Sequence, residues 1–289
     1  MDTKEILKKV RSIEIKTKGL SNHIFAGEYN TAFKGRGMTF SEVREYEIGD
    51  DLRTIDWNVT ARYNSPFVKV FEEEREITLM LMVDVSSSSS FGTNKRFKRE
   101  LVSEISAVLA FSAIKNNDKV GVIFFSDKIE KFISPSKGKK HILRIIKEIL
   151  TFQSTSKKTN IKKALEYFNR VTKKRSICFL LSDFFDSDFF EPIKLSAKRH
   201  DLVAVNTLDS RELEIPNVGL LSLQDSENES EILVDSSDRK FRQNFKNKQL
   251  SRLETLKKEL SLCGADYIQL LTQEDIISPL INFFKNRKK

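Results

Sequence analysis

Hydrophobic and polar positions change rhythm twice along the chain. Over the first twenty or so residues, Ile6, Leu7, Val10 and Ile13 fall among lysines at helical intervals, which predicts an amphipathic helix. From Gly27 to about Tyr63 no period holds. Gly27, Gly35, Gly37 and Gly49 are scattered among charges and aromatics, predicting irregular structure with short strands. After Glu72-Glu73-Glu74-Arg75 the apolar residues gather into runs. Ile77 to Val85 is nearly continuous, as in a strand buried on both faces, and Phe97, Leu101, Ile105 and Leu109 then mark a helix face.

The alternation repeats. Strands are predicted at Val120 to Phe125 and Ile129 to Ile133, then a helix on Ile142, Ile145, Ile146 and Ile149. Thr159-Asn160 can cap a helix bearing Ile161, Ala164, Leu165 and Phe168, before strands at Ile177 to Leu181, Leu202 to Thr207 and Tyr267 to Leu271. Val218 to Leu223 and Ile232 to Val234 read as an inserted hairpin, followed by a long helix from about Asp238. The pattern predicts a doubly wound, mostly parallel α/β domain over 75–289, behind an irregular, partly β segment over 1–74.

Composition narrows the chemistry. With 39% apolar and 10% aromatic residues in 289, the chain can bury a full core and is not a disordered polymer. Cys178 and Cys263 form no C-x-x-C pair, and His23, His141 and His200 lie far apart, so thiolate zinc sites and histidine-driven proton transfer have little material. The N-terminus lacks the apolar core of a signal peptide, and no apolar run is long enough to span a bilayer. The expected location is cytoplasmic, with peripheral attachment to the inner face of the membrane as a variant. The net charge of +9 permits anionic partners, but no nucleic-acid reader module accompanies it. Lys137, Lys139 and Lys140, and Lys157-Lys158 just before Thr159, read as solvated faces able to steer an acidic partner.

In open α/β sheets ligands bind beyond the carboxyl ends of the strands. There the first strand of the large domain ends in Asp84-Val85-Ser86-Ser87-Ser88, a D-x-S-x-S pattern. The strand at 177 ends in Ser182-Asp183, and Thr159 stands just before a helix. Asp84, Ser86, Ser88, Thr159 and Asp183 form an all-oxygen set suited to Mg2+, with Mn2+ or Ca2+ as substitutes, and a partner's carboxylate could complete its coordination. Two other classes compete. An Mg2+-dependent phosphoryl-transfer enzyme would want a second acid where Ser86 stands, and no P-loop, dinucleotide-binding or serine-hydrolase motif is present. A basic nucleic-acid binder would show affinity that falls steeply with salt.

Asp84, Ser86, Ser88, Thr159 and Asp183, in that order on an α/β alternation, resemble the metal-ion-dependent adhesion site of von Willebrand factor type A domains. That resemblance implies serines and threonine bound to Mg2+, aspartates acting largely through water, and an ion that grips a partner's Asp or Glu. Ser182-Asp183-Phe184 departs from the commoner Thr-Asp-Gly. The segment Gly35-Arg36-Gly37-Met38-Thr39-Phe40, Val43-Arg44-Glu45-Tyr46, Gly49-Asp50-Asp51, Arg53, Ile55-Asp56-Trp57 and Ala61-Arg62 resembles the signature of the "domain of unknown function 58" family. That resemblance implies a bacterial setting and a MoxR-type AAA+ ATPase or its client as partner, and the absence of a general base beside a nucleophile adds the expectation of a non-catalytic, Mg2+-dependent protein-interaction module. Within the signature, the arginines and aspartates are expected to pair internally, and Trp57 to anchor a core.

Overall fold

The computed structural model describes residue 12 and residues 38–63, 65–73, 77–92, 96–224 and 231–287. The expected N-terminal helix and the start of the signature, including Gly35, Arg36 and Gly37, lie outside these residues. The described chain divides into a small unit ending at Ile77 and a large one beginning at Thr78.

In the small unit, β1 (Met38–Glu45) pairs antiparallel with β2 (Phe67–Glu73), with a register shift between Phe40 and Glu42. Between them lie a single 3-10 turn, Leu52–Thr54, and helix α1 (Trp57–Tyr63). The expected ionic pairing is present in part. Arg44 grips both oxygens of Asp50 at 2.9 and 2.7 Å and Arg53 lies 3.5 Å from Asp51, whereas Asp56 is met by Lys69 at 3.4 Å. Trp57, by contrast, is no core anchor, for 70% of it is exposed. It opens α1 directly after Asp56, whose carboxylate accepts the Asn58 and Val59 N–H groups, and the inward positions fall to Val59 and Thr60.

The large unit holds a six-stranded sheet. Its strands are β3 (Thr78–Asp84), β4 (Lys119–Phe125), β5 (Ile129–Ser136), β6 (Ile177–Ser182), β7 (Asp201–Leu208) and, after a separate hairpin, β10 (Asp266–Leu271). The hairpin is β8 (Leu220–Gln224) with β9 (Glu231–Asp235). Sheet order is β10-β7-β6-β3-β4-β5, parallel throughout except for β5 at the edge. Strands β6 and β7 are buried along their whole length, as their unbroken apolar runs require.

Helices α2 (Lys98–Lys115), α3 (Lys139–Thr151), α4 (Ile161–Val171) and α5 (Phe190–Arg199) alternate with these strands. The turn α6 (Ser210–Leu213), the long α7 (Arg239–Leu262) and α8 (Ile277–Asn286) complete the unit. One sheet face, carrying Met80, Met82, Cys178 and Leu180, packs on Ile161, Leu165 and Phe168 of α4 and on Leu256 and Leu260 of α7. On α2 the expected stripe Leu101, Ile105 and Leu109 is fully buried, but Phe97 is not part of it. Phe97 is the residue before the helix, its N–H bonded to Glu100, and its ring is half exposed.

The topology fixes where a ligand can enter. Both β4 and β6 flank β3, so the chain order reverses beside β3 and opens a crevice at the carboxyl ends of β3 and β6.

Candidate metal centre at the strand ends

Asp84 closes β3 and is almost wholly buried. Its Oδ1 accepts the Ser86 N–H at 3.0 Å, and its Oδ2 accepts the hydroxyls of Ser182 at 2.7 Å and Thr159 at 3.4 Å. The serine run turns as a 3-10 helix, Ser87–Ser90, which sets the hydroxyl oxygens of Ser86 and Ser88 3.1 Å apart. Ser88 in turn hydrogen-bonds Asp183. All five expected residues therefore meet at the crevice.

Thr159 and Asn160 divide a role that the sequence assigned to both. Asn160 is the cap of α4, its side chain accepting the Lys163 N–H at 2.8 Å, which frees the Thr159 hydroxyl for Asp84. The loop before them is held from two sides. Glu130 accepts hydroxyls from Ser126, Ser154 and Thr155, and the Lys157 carbonyl accepts both the N–H and the hydroxyl of Ser87. The Lys157 and Lys158 side chains themselves are exposed.

Three features were not foreseen. Lys98, the first residue of α2, is 2% exposed and points its ammonium at Asp183 Oδ2 at 3.0 Å and at Glu212 of α6. A lysine in a K-R-E run at a helix start looks like a solvated charge, so no sequence signal sets it apart. Glu212 stood in a polar stretch and arrives because it closes a capping box, its Oε2 accepting the Asp209 N–H at 2.7 Å. Ser182 donates to Asp84 while accepting the Phe184 N–H at 3.1 Å. Its place beside Asp183 at a strand end was the one available clue.

At Phe184 the loop adopts a backbone conformation that favours glycine. Phe184 has φ 55°, the left-handed region that glycine adopts freely and a phenylalanine enters at a cost of roughly 1–2 kcal/mol. Its ring is 3% exposed and packs on Phe189 with centroids 5.9 Å apart, so burial offsets the strain. The next residue's N–H is donated to Asp183 Oδ1 at 3.3 Å.

Electrostatically the site is short of positive charge. Asp84, Asp183 and Glu212 face the Lys98 ammonium, and the Arg252 guanidinium acts on Asp183 and Glu212 from nearby, a balance of −1 when all are ionised. Burial, and then the neighbouring charge of Asp183, push the Asp84 carboxyl up to about 7. Burial also opposes ionisation of Asp183, but Lys98, Ser88 and the Phe185 N–H outweigh it and hold that carboxyl below its usual range. Burial works against the Lys98 charge too, yet Asp183 and Glu212 keep its ammonium above the ordinary lysine value. The donor set fits a small hard cation, because hydroxyl and carboxylate oxygens surround a carboxylate that holds its charge poorly without one. Among the described residues, no group of three or more His, Cys, Asp and Glu side chains is placed to hold a metal, so any ion here depends on the hydroxyls.

Fold and crevice together define an open α/β domain with a polar site at its topological switch point. The family model described as "Protein of unknown function DUF58" matches residues 42–254, and the chain belongs to that family. It is 26% identical to the uncharacterized protein Rv1480 of Mycobacterium tuberculosis over 292 aligned positions, covering 100% of this chain and 92% of that protein. An aerotolerance-related membrane protein from Bacteroides fragilis, solved with multiple mutations to serines, superposes with TM-score 0.51 and 15% identity, over 73% of this chain and 98% of that one. The SpRpn10 VWA domain overlaps more loosely, with TM-score 0.40 and 9% identity over 72% of this chain and 94% of that one. No helix among the described residues is long and apolar enough to cross a membrane.

Proposed function

We propose that the chain is a non-catalytic, Mg2+-dependent protein-interaction module. Ser86, Ser88 and Thr159 would hold the ion through their hydroxyls, while Asp84 and Asp183 supply charge largely through water. Asp183 suits that outer role, since its oxygens already serve Lys98 and the Phe185 N–H. A bound ion would supply a Lewis-acidic position for a partner's Asp or Glu. The observation that supports this reading is the linked cluster at the switch point, in which buried Asp84 accepts from Ser86, Thr159 and Ser182, the Ser86 hydroxyl meets that of Ser88, and Ser88 bonds Asp183.

Catalysis is the poorer reading. His141 hydrogen-bonds the Val120 carbonyl and His200 the Ser176 hydroxyl, so neither of the described histidines is available to the crevice as a base. Family membership makes a MoxR-type AAA+ ATPase or its client the leading partner.

Calorimetric titration of the wild-type chain with Mg2+ should show saturable binding that Asp84→Ala abolishes while circular dichroism stays unchanged. Equal affinity in the two proteins would refute the site. Complexes with a purified MoxR-type ATPase should dissociate in EDTA, and a complex indifferent to chelation would rule out bridging by the ion.

A further inference from the structure

Immediately beside Asp183, the loop after β6 and helix α7 enclose an open groove of about 740 Å3. Its base is apolar, with Phe184 and Leu256 almost wholly buried, and Phe185 stands 43% exposed at the rim. The polar groups around it are unequal in sign. Arg252 and Lys248, one turn apart on α7, both line it. The guanidinium of Arg252 lies over the Phe185 ring, 3.4 Å from its centroid. Its hydrogen bonding is sparse, Nη1 reaching the Phe184 carbonyl at 3.4 Å and the buried Nε having no hydrogen-bond partner, while Asp183 and Glu212 act on its charge from nearby. The acid in the groove, Asp186, is already committed. One of its oxygens takes the Ile161 N–H and the other the Ser187 N–H, each at 2.7 Å.

An apolar floor with two cations on one wall complements an apolar side chain flanked by a carboxylate. We propose that this groove seats a partner segment in which an aromatic or leucine side chain fills the space over Phe184 and Leu256 while an adjacent Asp or Glu meets Arg252 and Lys248. The half-buried guanidinium already stacked on Phe185 is pre-organised for a carboxylate contact. The proposal extends the interaction-module reading by stating the chemistry of the partner, and only the partner's second carboxylate depends on the ion.

The test is selection of a random peptide display library on the full chain in Mg2+, followed by anisotropy titration of labelled synthetic winners. Enriched peptides should join Asp or Glu to Phe, Tyr, Trp or Leu within a few positions. Their affinity should fall at least ~10-fold in Arg252→Glu and about 3-fold or more in Lys248→Glu. Lys248 is exposed, so its substitution keeps the test sound if Arg252→Glu unfolds the loop. Enrichment of basic peptides, or affinity unchanged in Lys248→Glu and in folded Arg252→Glu, overturns the proposal. Binding lost in EDTA but intact in both variants would also overturn it while upholding the ion. Binding lost in the variants but intact in EDTA would uphold the groove and refute the ion.

Discussion

Each end of the same sheet gathers buried charge, and the two ends are built differently. At the amino ends of β7 and β10, Arg287 just beyond α8 pairs with Asp201 and Asp266, its side chain only 7% exposed. At the carboxyl ends of β3 and β6, Asp84, Asp183 and Glu212 share Lys98 with a set of serine and threonine hydroxyls. The Arg287 guanidinium brings donors alone, and its Nη2 meets both carboxylates. Hydroxyls both donate and accept, so they can turn lone pairs toward an incoming cation. The difference separates a clasp from a receptacle.

The largest effects should come from removing each cluster's own cation. Arg287→Ala and Lys98→Met should each cost about 3–5 kcal/mol, because the first strands the buried carboxylate of Asp201 and the second that of Asp183. Millimolar Mg2+ should restore much of the thermal stability of Lys98→Met and none of that of Arg287→Ala, as scanning calorimetry with and without EDTA will reveal. Equal rescue, or none in either, would erase the distinction.

Asp84→Asn should weaken Mg2+ binding at least ~100-fold, about 2.7 kcal/mol, while stabilising the metal-free protein. The sign follows from linkage. A carboxyl whose folded value is raised to about 7 costs stability as pH climbs from the ordinary carboxylate range through 7, and the amide removes that cost. Chemical denaturation at pH 5 and pH 8 in EDTA should find the variant's advantage only, or mainly, at pH 8.

Phe184→Gly should lose about 2 kcal/mol net, since relief of roughly 1–2 kcal/mol of backbone strain recovers only part of the buried ring's roughly 3–5 kcal/mol. Mg2+ affinity should stay within a few-fold, because the loop keeps its backbone course; a collapse of affinity would mean the ring itself shapes the receptacle.

The smallest effect is at His200, below the core of the amino end. Burial, then the charges of Arg199 and Arg175, pull its imidazole down to about 4. The unfolded chain therefore takes up a proton near pH 6.5 that the native state refuses, and stability should decline from there to about pH 4. The midpoint of thermal unfolding should drop by a few degrees over that window, and His200→Asn should flatten the decline.

Much of this architecture was legible in the residues, for a stated physical reason. Unbroken apolar runs such as Ile177 to Leu181 can only be strands covered on both faces, and polar residues at their ends then mark the ligand side. Asp84, Ser86, Ser88 and Asp183 stand at such ends, while Thr159, at a helix start, joined them only in combination with Asp84 and Asp183. What stayed hidden depends on tertiary placement. Lys98 reads as surface until α2 turns its stem inward, and Glu212 reads as part of an acidic loop until its capping box fixes it. Trp57 shows the converse, a large apolar residue left outside because the helix it begins spends its inward positions on its neighbours.

The two committed oxygens of Asp186 carry one last consequence. One end of the loop after β6 holds Asp183, and three residues later Asp186 grips the backbone of Ile161, two residues beyond Thr159. The two halves of the receptacle are thus yoked, and neither can drift without dragging the other. Under the proposed function little protein rearrangement would remain on binding Mg2+, so the pace of loading would be set by how quickly the cation sheds its own water.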